Sequence, residues 1–185
     1  MADVNLPPLP PVGGTISGRS VVDVLNQQHR VILDLASGDI SDKSHSVLIA
    51  TLSRHLSAEE QYLYPAIREA VPDGDRIADR ELAEDRALLE LMRDDTARDE
   101  LTRAIHRHVE ADETELFPLL EQMVPADDMI RLGNRVETAE EAAPTRPHPH
   151  TPATPPWNKV VDPLLGAIDK LRDVATGRTT YTRDL

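Results

Sequence analysis

The chain has 185 residues, enough for one domain with a hydrophobic core plus an appendage. It contains no cysteine, which excludes a disulfide framework and a thiolate metal site, so any transition metal must be held by His, Asp and Glu. Its 33 acidic and 20 basic residues give a net charge of −13, which argues against nucleic acid or an anionic membrane as partner. No apolar run approaches the ~20 residues of a membrane helix. The opening MADVNLPPLPPVGG has no basic region leading into an apolar stretch, so a cytoplasmic location is the default expectation.

Residues 1–19, rich in Pro and Gly up to Gly14, are expected to form an irregular arm. Helical periodicity starts at Ser20, which with Asp23 resembles a capping box; Val21, Leu25, His29, Ile32 and Ala36 mark one face and Gly38 ends it. A second helix is predicted from about Ser41 to Ala70, with Leu48, Leu52, His55, Glu59, Tyr62 and Ala66 facing inward, stopped by Pro72-Asp73-Gly74. A third is predicted from about Asp75 to Asp94 (Ala78, Leu82, Asp85, Leu89, Met92). A fourth is predicted from about Thr96 to Met123 (Leu101, Ile105, His108, Asp112, Leu116, Leu119, Met123). Short connections between long amphipathic helices predict an all-α, antiparallel up-down-up-down four-helix bundle over residues 20–135. Residues 136–158 read as a Pro-rich linker. Residues 159–185 carry a last amphipathic helix (Val160, Leu164, Ile168, Leu171, Val174) and a tail. Alone, such a helix is marginal in water, so it is expected to dock on the bundle or on a protein partner.

Six polar residues interrupt the apolar stripes: His29, His55, Glu59, Asp85, His108 and Asp112. Burying unpaired carboxylates is costly, and a shared metal ion supplies the missing positive charge. His55 with Glu59, and His108 with Asp112, are spaced i and i+4, so each pair projects from one helix face. The segments repeat: HLSAEEQYLYP (His55 to Pro65) and HVEADETELFP (His108 to Pro118) share His, a carboxylate at +4, Glu at +5, Leu at +8, an aromatic at +9 and Pro at +10, offset by 53 residues. Imidazole and carboxylate donors suit iron, manganese or zinc. Asp85 has two readings, a ligand or a residue salt-bridged to Arg86. Glu113 is an alternative to Asp112, since one residue rotates it only about 100° around the helix. Glu60 and Glu113 are expected on a solvated face or as outer partners of ligand histidines. His45 and His106 are expected at the surface, and His148 and His150 in a flexible tract. Tyr62 and Tyr64 are expected in packing or at the border of the site.

The Gln28-His29-Arg30 tripeptide and the two repeated segments resemble the hemerythrin-like proteins, the HHE cation-binding domains, over roughly residues 20–130. The Pro-rich tail before an amphipathic segment is similar to actinobacterial members. The resemblance implies a carboxylate-bridged non-heme iron centre with two iron ions per chain, binding O2, peroxide or NO. It places ligands at His29, His55, Glu59, His108 and Asp112. Weak peroxidase-, catalase- or NO-linked activity is compatible with it. The family's third helix usually offers His in an EHR-like context; here Ala83-Glu84-Asp85-Arg86 puts Asp85 at that place. A shorter, anionic donor there favours a harder metal site or a single ion. Two rival readings are an iron sensor or store whose terminal helix reports occupancy, and a structural bundle with a decayed site.

Overall fold

The computed structural model describes residues 16–38, 41–151 and 158–185. Positions 1–15 of the expected arm and 152–157 of the expected linker lie outside the described residues. The described residues are helical, with no strand among them.

The first two helix starts follow from serine caps. Ser20 caps α1 (Val21–Ser37): its hydroxyl accepts the Asp23 N–H at 3.1 Å and donates to the Asp23 carboxylate at 2.8 Å. Ser41 caps α2 (Asp42–Ala58) by accepting the Ser44 N–H at 3.1 Å. After α3 (Tyr64–Ala70), Asp73 takes a left-handed conformation (φ 58°) and turns the chain into α4 (Gly74–Leu91). Then come α5 (Arg98–Ala111), α6 (Phe117–Met123), α7 (Ala126–Ala142) and α8 (Asn158–Thr176). Single π turns, Glu59–Leu63 and Asp112–Leu116, join α2 to α3 and α5 to α6 into two long rods. α1 packs on α2 and α5, and α4 packs on α3 and α5, so four rods close around one interior.

The π turns explain where the inward stripe departs from simple periodicity. Each carries an i→i+5 bond, from Tyr64 N–H to the Glu59 carbonyl and from Phe117 N–H to that of Asp112. Each is followed by a proline, Pro65 or Pro118, which has no N–H to give and would crowd a regular turn. The extra residue rotates the helix beyond it. Leu63, Tyr64, Leu120 and Val124 are buried, whereas Tyr62 and Leu119 are only partly covered and Met123 is 41% exposed.

The C-terminal third differs most from its sequence pattern. α7 continues past Arg135 to Ala142 because Met129, Leu132, Val136 and Ala139 keep helical spacing against α1 and α2. α8 docks on α7 and the first π turn, and it does so by its polar face. Asp162, Asp169 and Asp173 are buried, while Leu164, Ile168, Leu171 and Val174 are exposed. Specific partners decide this. Asp173 pairs with Arg146 at 2.6 Å and Arg178 at 3.3 Å. Asp169 accepts from the Thr145 and Arg146 N–H groups and lies 3.0 Å from His148 Nε2. Asp162 accepts the Ser57 hydroxyl at 2.7 Å. Gly166 permits this approach, since a Cβ there would collide with the Ala142 carbonyl oxygen. Among the described residues no helix is long and apolar enough to cross a membrane.

Glu60, expected on a solvated or outer face, is buried beside α8. Burial and nearby Asp162 push its carboxyl up to about 8, with Arg86 opposing.

Gly166→Val is expected to dislodge α8 at a cost of ~1–3 kcal/mol, read as a lower denaturation midpoint and faster proteolysis near residue 151. Because the folded-state pKa of Glu60 is raised, its contribution is fully present below about pH 4.5 and is lost as pH rises to about 8. Glu60→Gln should therefore flatten that decline and stabilise the protein above pH 8 by on the order of 2–4 kcal/mol in denaturant titrations.

Candidate metal centre

Each rod brings its polar residues to the same level. His29 lies between Leu25 and Ile32 on α1, and His55 follows Leu52 near the end of α2. Glu59 and Asp112 are the first residues of the two π turns, and His108 sits one turn before Asp112 on α5. His29, His55, Glu59, His108 and Asp112 each offer one donor atom, all within 4.8 Å of one another, and all five residues are buried. This layer divides the apolar interior into two clusters. One is built around Leu25, Tyr64, Phe117 and Leu132, the other around Ile32, Leu52, Leu88 and Ile105.

The spacing between donors is that of ligands around an ion. His55 Nε2 lies 3.4 Å from Glu59 Oε1, and His108 Nε2 lies 3.4 Å from Glu59 Oε2. Asp112 Oδ2 is 3.5 Å from both His29 Nε2 and His108 Nε2, and the Nε2 atoms of His55 and His108 are 3.3 Å apart. Donors about 2.0–2.2 Å from one cation stand roughly 3–3.5 Å from each other. His29 Nε2, Glu59 Oε1 and both Asp112 oxygens are buried without a hydrogen bond. Such orphaned donors are rare unless something else satisfies them, and this donor set fits a cation.

The surroundings aim the ring nitrogens inward. The Gln28 side-chain oxygen accepts from His55 Nδ1 at 2.8 Å, and Gln28 is itself held by its amide donating to Glu140 on α7 at 2.9 Å. Glu113 Oε1 accepts from His29 Nδ1 at 3.1 Å, and the His29 ring stacks on Phe117 at 5.5 Å. With Nδ1 protonated on each ring, Nε2 carries a lone pair toward the cluster. Burial, reinforced by His29 and His108, pushes the His55 pKa well below its ordinary value, so the ring stays neutral and able to ligate. Burial and the Asp112 charge hold the Glu59 carboxyl well above the ordinary range. Asp112 is also desolvated, but His108 and His29 bring it below its ordinary value.

Asp85 does not join the five. Its Oδ1 lies 3.5 Å from the outer nitrogen of His108, and its Oδ2 accepts the Tyr64 hydroxyl at 2.8 Å. Among the described residues it makes no ion pair with Arg86. Burial raises its pKa well above the usual value, with His108 opposing. Between Asp112 and Glu113 the geometry separates the roles: Asp112 faces the interior, whereas Glu113 is 40% exposed at its side chain and holds the far side of His29. His148 is engaged with Asp169 and His150 is exposed, so neither approaches the cluster. His106 is exposed, and His45 is half-buried 3.9 Å from Asp95.

Two participants escape a reading of stripes. Glu81, fully buried, lies one turn before Asp85, with Oε1 on Arg80 and Oε2 unpartnered. Its i, i+4 spacing to Asp85 repeats that of His55 and Glu59 and is the signal that could reveal it. Gln28 lies off the inward stripe, and its part depends on a contact with α7.

Four buried carboxylates, Glu59, Glu81, Asp85 and Asp112, concentrate negative charge in this layer. In metal-free protein at neutral pH, Glu59→Gln and Asp85→Asn are each expected to stabilise the fold by ~1–3 kcal/mol, measured by denaturant titration with a chelator present.

The sequence matches the model of the hemerythrin HHE cation-binding domain over residues 20–120. It is 24% identical over 148 residues to an uncharacterized hemerythrin-like protein of Schizosaccharomyces pombe, covering 74% of this chain and 73% of that protein. No solved structure matches the chain significantly. The matched span contains all five clustered residues and both π turns, and the chain belongs to the hemerythrin family of HHE cation-binding domains.

Proposed function

We propose that the protein is a non-heme iron protein that binds or reduces O2, peroxide or NO at the centre formed by His29, His55, Glu59, His108 and Asp112. The observation that carries this reading is the convergence of five buried donors with unpartnered atoms on one point. Three imidazoles and two carboxylates form a mixed nitrogen and oxygen set that suits iron, with manganese or zinc as chemically compatible substitutes. Bound iron would supply redox and Lewis-acid chemistry.

The protein's own groups do the rest. Gln28 and Glu113 fix the tautomers of His55 and His29. The apolar clusters on either side exclude water and lower the local dielectric. Burial and Asp85 raise the Tyr64 pKa well above its usual value, so the phenol keeps its proton and donates to Asp85 at 2.8 Å. Glu59, Asp112 and Asp85 together carry more charge than one divalent cation offsets, which supports two ions per chain, while Glu81 is already paired with Arg80 at 2.5 Å. Asp85 and Glu81, each with one buried oxygen that makes no hydrogen bond, would serve the second.

A second reading is supported by α8. Ser57 and Gln61, which flank Glu59 in sequence, both donate to Asp162 of α8, so occupancy of the centre could be reported through docking of that helix. In that case the protein senses or stores iron without redox turnover.

Anaerobic loading followed by metal quantification is expected to give about two iron ions per chain, and His55→Ala is expected to lose about one of them. Exposure of the loaded protein to O2, hydrogen peroxide or NO should change its near-ultraviolet and visible absorption. Stoichiometric iron with no spectral response to any of the three overturns the redox reading and leaves the sensor. A melting temperature unchanged on iron removal counts against the sensor.

A further inference from the structure

A solvent-open groove of about 680 Å³ runs between α4 and α5 and has His108 in its lining. Its walls carry Glu84, Asp94 and Glu100, with Glu90 paired to Arg93 at 3.2 Å, against one lining cation, Arg107. His108 is 2% exposed and is the member of the five-residue cluster that lines the groove. A second cavity, about 770 Å³, has Gln28 in its lining instead and mixes three arginines with three glutamates.

His108 also differs from the other two histidines in how it is held. The outer nitrogens of His29 and His55 are tied by Glu113 at 3.1 Å and Gln28 at 2.8 Å. His108 Nδ1 is buried and makes no hydrogen bond; Asp85 Oδ1 stands 3.5 Å away. Of the three rings, the one at the groove is therefore the one whose outer nitrogen no hydrogen bond holds in place.

We propose that this groove is the route by which a divalent metal cation enters the centre, with the acidic walls concentrating it and His108 acting as the inner gate. The inference rests on the metal-centre reading and adds a route and a charge preference to it. A neutral ligand such as O2 gains nothing from these carboxylates, whereas a cation gains local concentration and a faster encounter. Glu84 comes from α4 and Glu100 from α5, so both helices bring negative charge to the groove.

The test is the rate of Fe(II) uptake by metal-free full-length protein under anaerobic conditions, at low and at high ionic strength. Final iron content is read separately. Two variants lie outside the metal-binding residues: the double variant Glu84→Gln, Glu100→Gln removes charge, and Ala87→Phe fills the groove from an exposed position. The charge variant should load roughly 3–10-fold more slowly at low salt, with the difference shrinking at high salt. Ala87→Phe should load more slowly at both. Both should reach wild-type iron content. Wild-type rates in both variants overturn the route while leaving the metal centre standing. Slowing in the charge variant alone also overturns it, because the charge then acts without a passage. Slowing in Ala87→Phe alone overturns the cation preference. A wild-type protein that takes up no iron overturns the centre itself.

Discussion

A single layer of buried ionisable side chains sets the terms for the rest of this molecule. Three imidazoles and four carboxylates lie across the middle of a helical bundle, shut off from water. Desolvating that many charges without compensation would cost more than a domain of this size can supply. Everything around the layer reduces that cost or prepares it for a cation. Gln28, Glu113 and Tyr64 satisfy outer atoms, while the inner atoms of His29, Glu59 and Asp112 are left for an ion. The result is a fold whose apolar clusters flank a centre with donor atoms left open to a cation.

The two π turns are the backbone counterpart of this arrangement. Each begins at a carboxylate of the cluster, Glu59 or Asp112, and each precedes a proline. The wider turn rotates the next helix so that Tyr64 and Phe117 face the interior, the first to donate to Asp85 and the second to stack on His29. A regular helix through either segment would bring Leu63 or Leu116 to that place. The repeat of HLSAEEQYLYP and HVEADETELFP is thus a repeat of a backbone irregularity as much as of ligands.

The C-terminal helices give the bundle an outer wall. α7 supplies Glu140 to orient Gln28, linking an outer helix to a ring nitrogen of His55 through two hydrogen bonds. α8 covers the first π turn through its aspartates and leaves four large apolar side chains in solvent. An amphipathic pattern says that two faces differ in polarity. It does not say which one meets the protein, and here the arginines at 146 and 178, with His148, decide in favour of the acidic face.

By itself the sequence determined the helical class, the rods that line the interior and the candidates from which the cluster is drawn, His29, His55, Glu59 and His108 among them. These follow from local rules: periodicity, caps and the i, i+4 spacing of His with a carboxylate survive any detail of packing. Only the tertiary structure decided what depends on atoms from distant segments. Asp85 shares the stripe of the ligands, yet it faces the outer nitrogen of His108 and the Tyr64 hydroxyl, because α4 meets α3 and α5 at that level. Asp112 and Glu113 are adjacent and alike in chemistry, and the position of α1 separates them by setting His29 between the two. The shift after each π turn, the burial of Glu60 and Glu81, and the docking face of α8 were likewise outside the reach of periodicity. Each depends on which neighbour fills the space, and the spacing of residues along one helix carries no record of that.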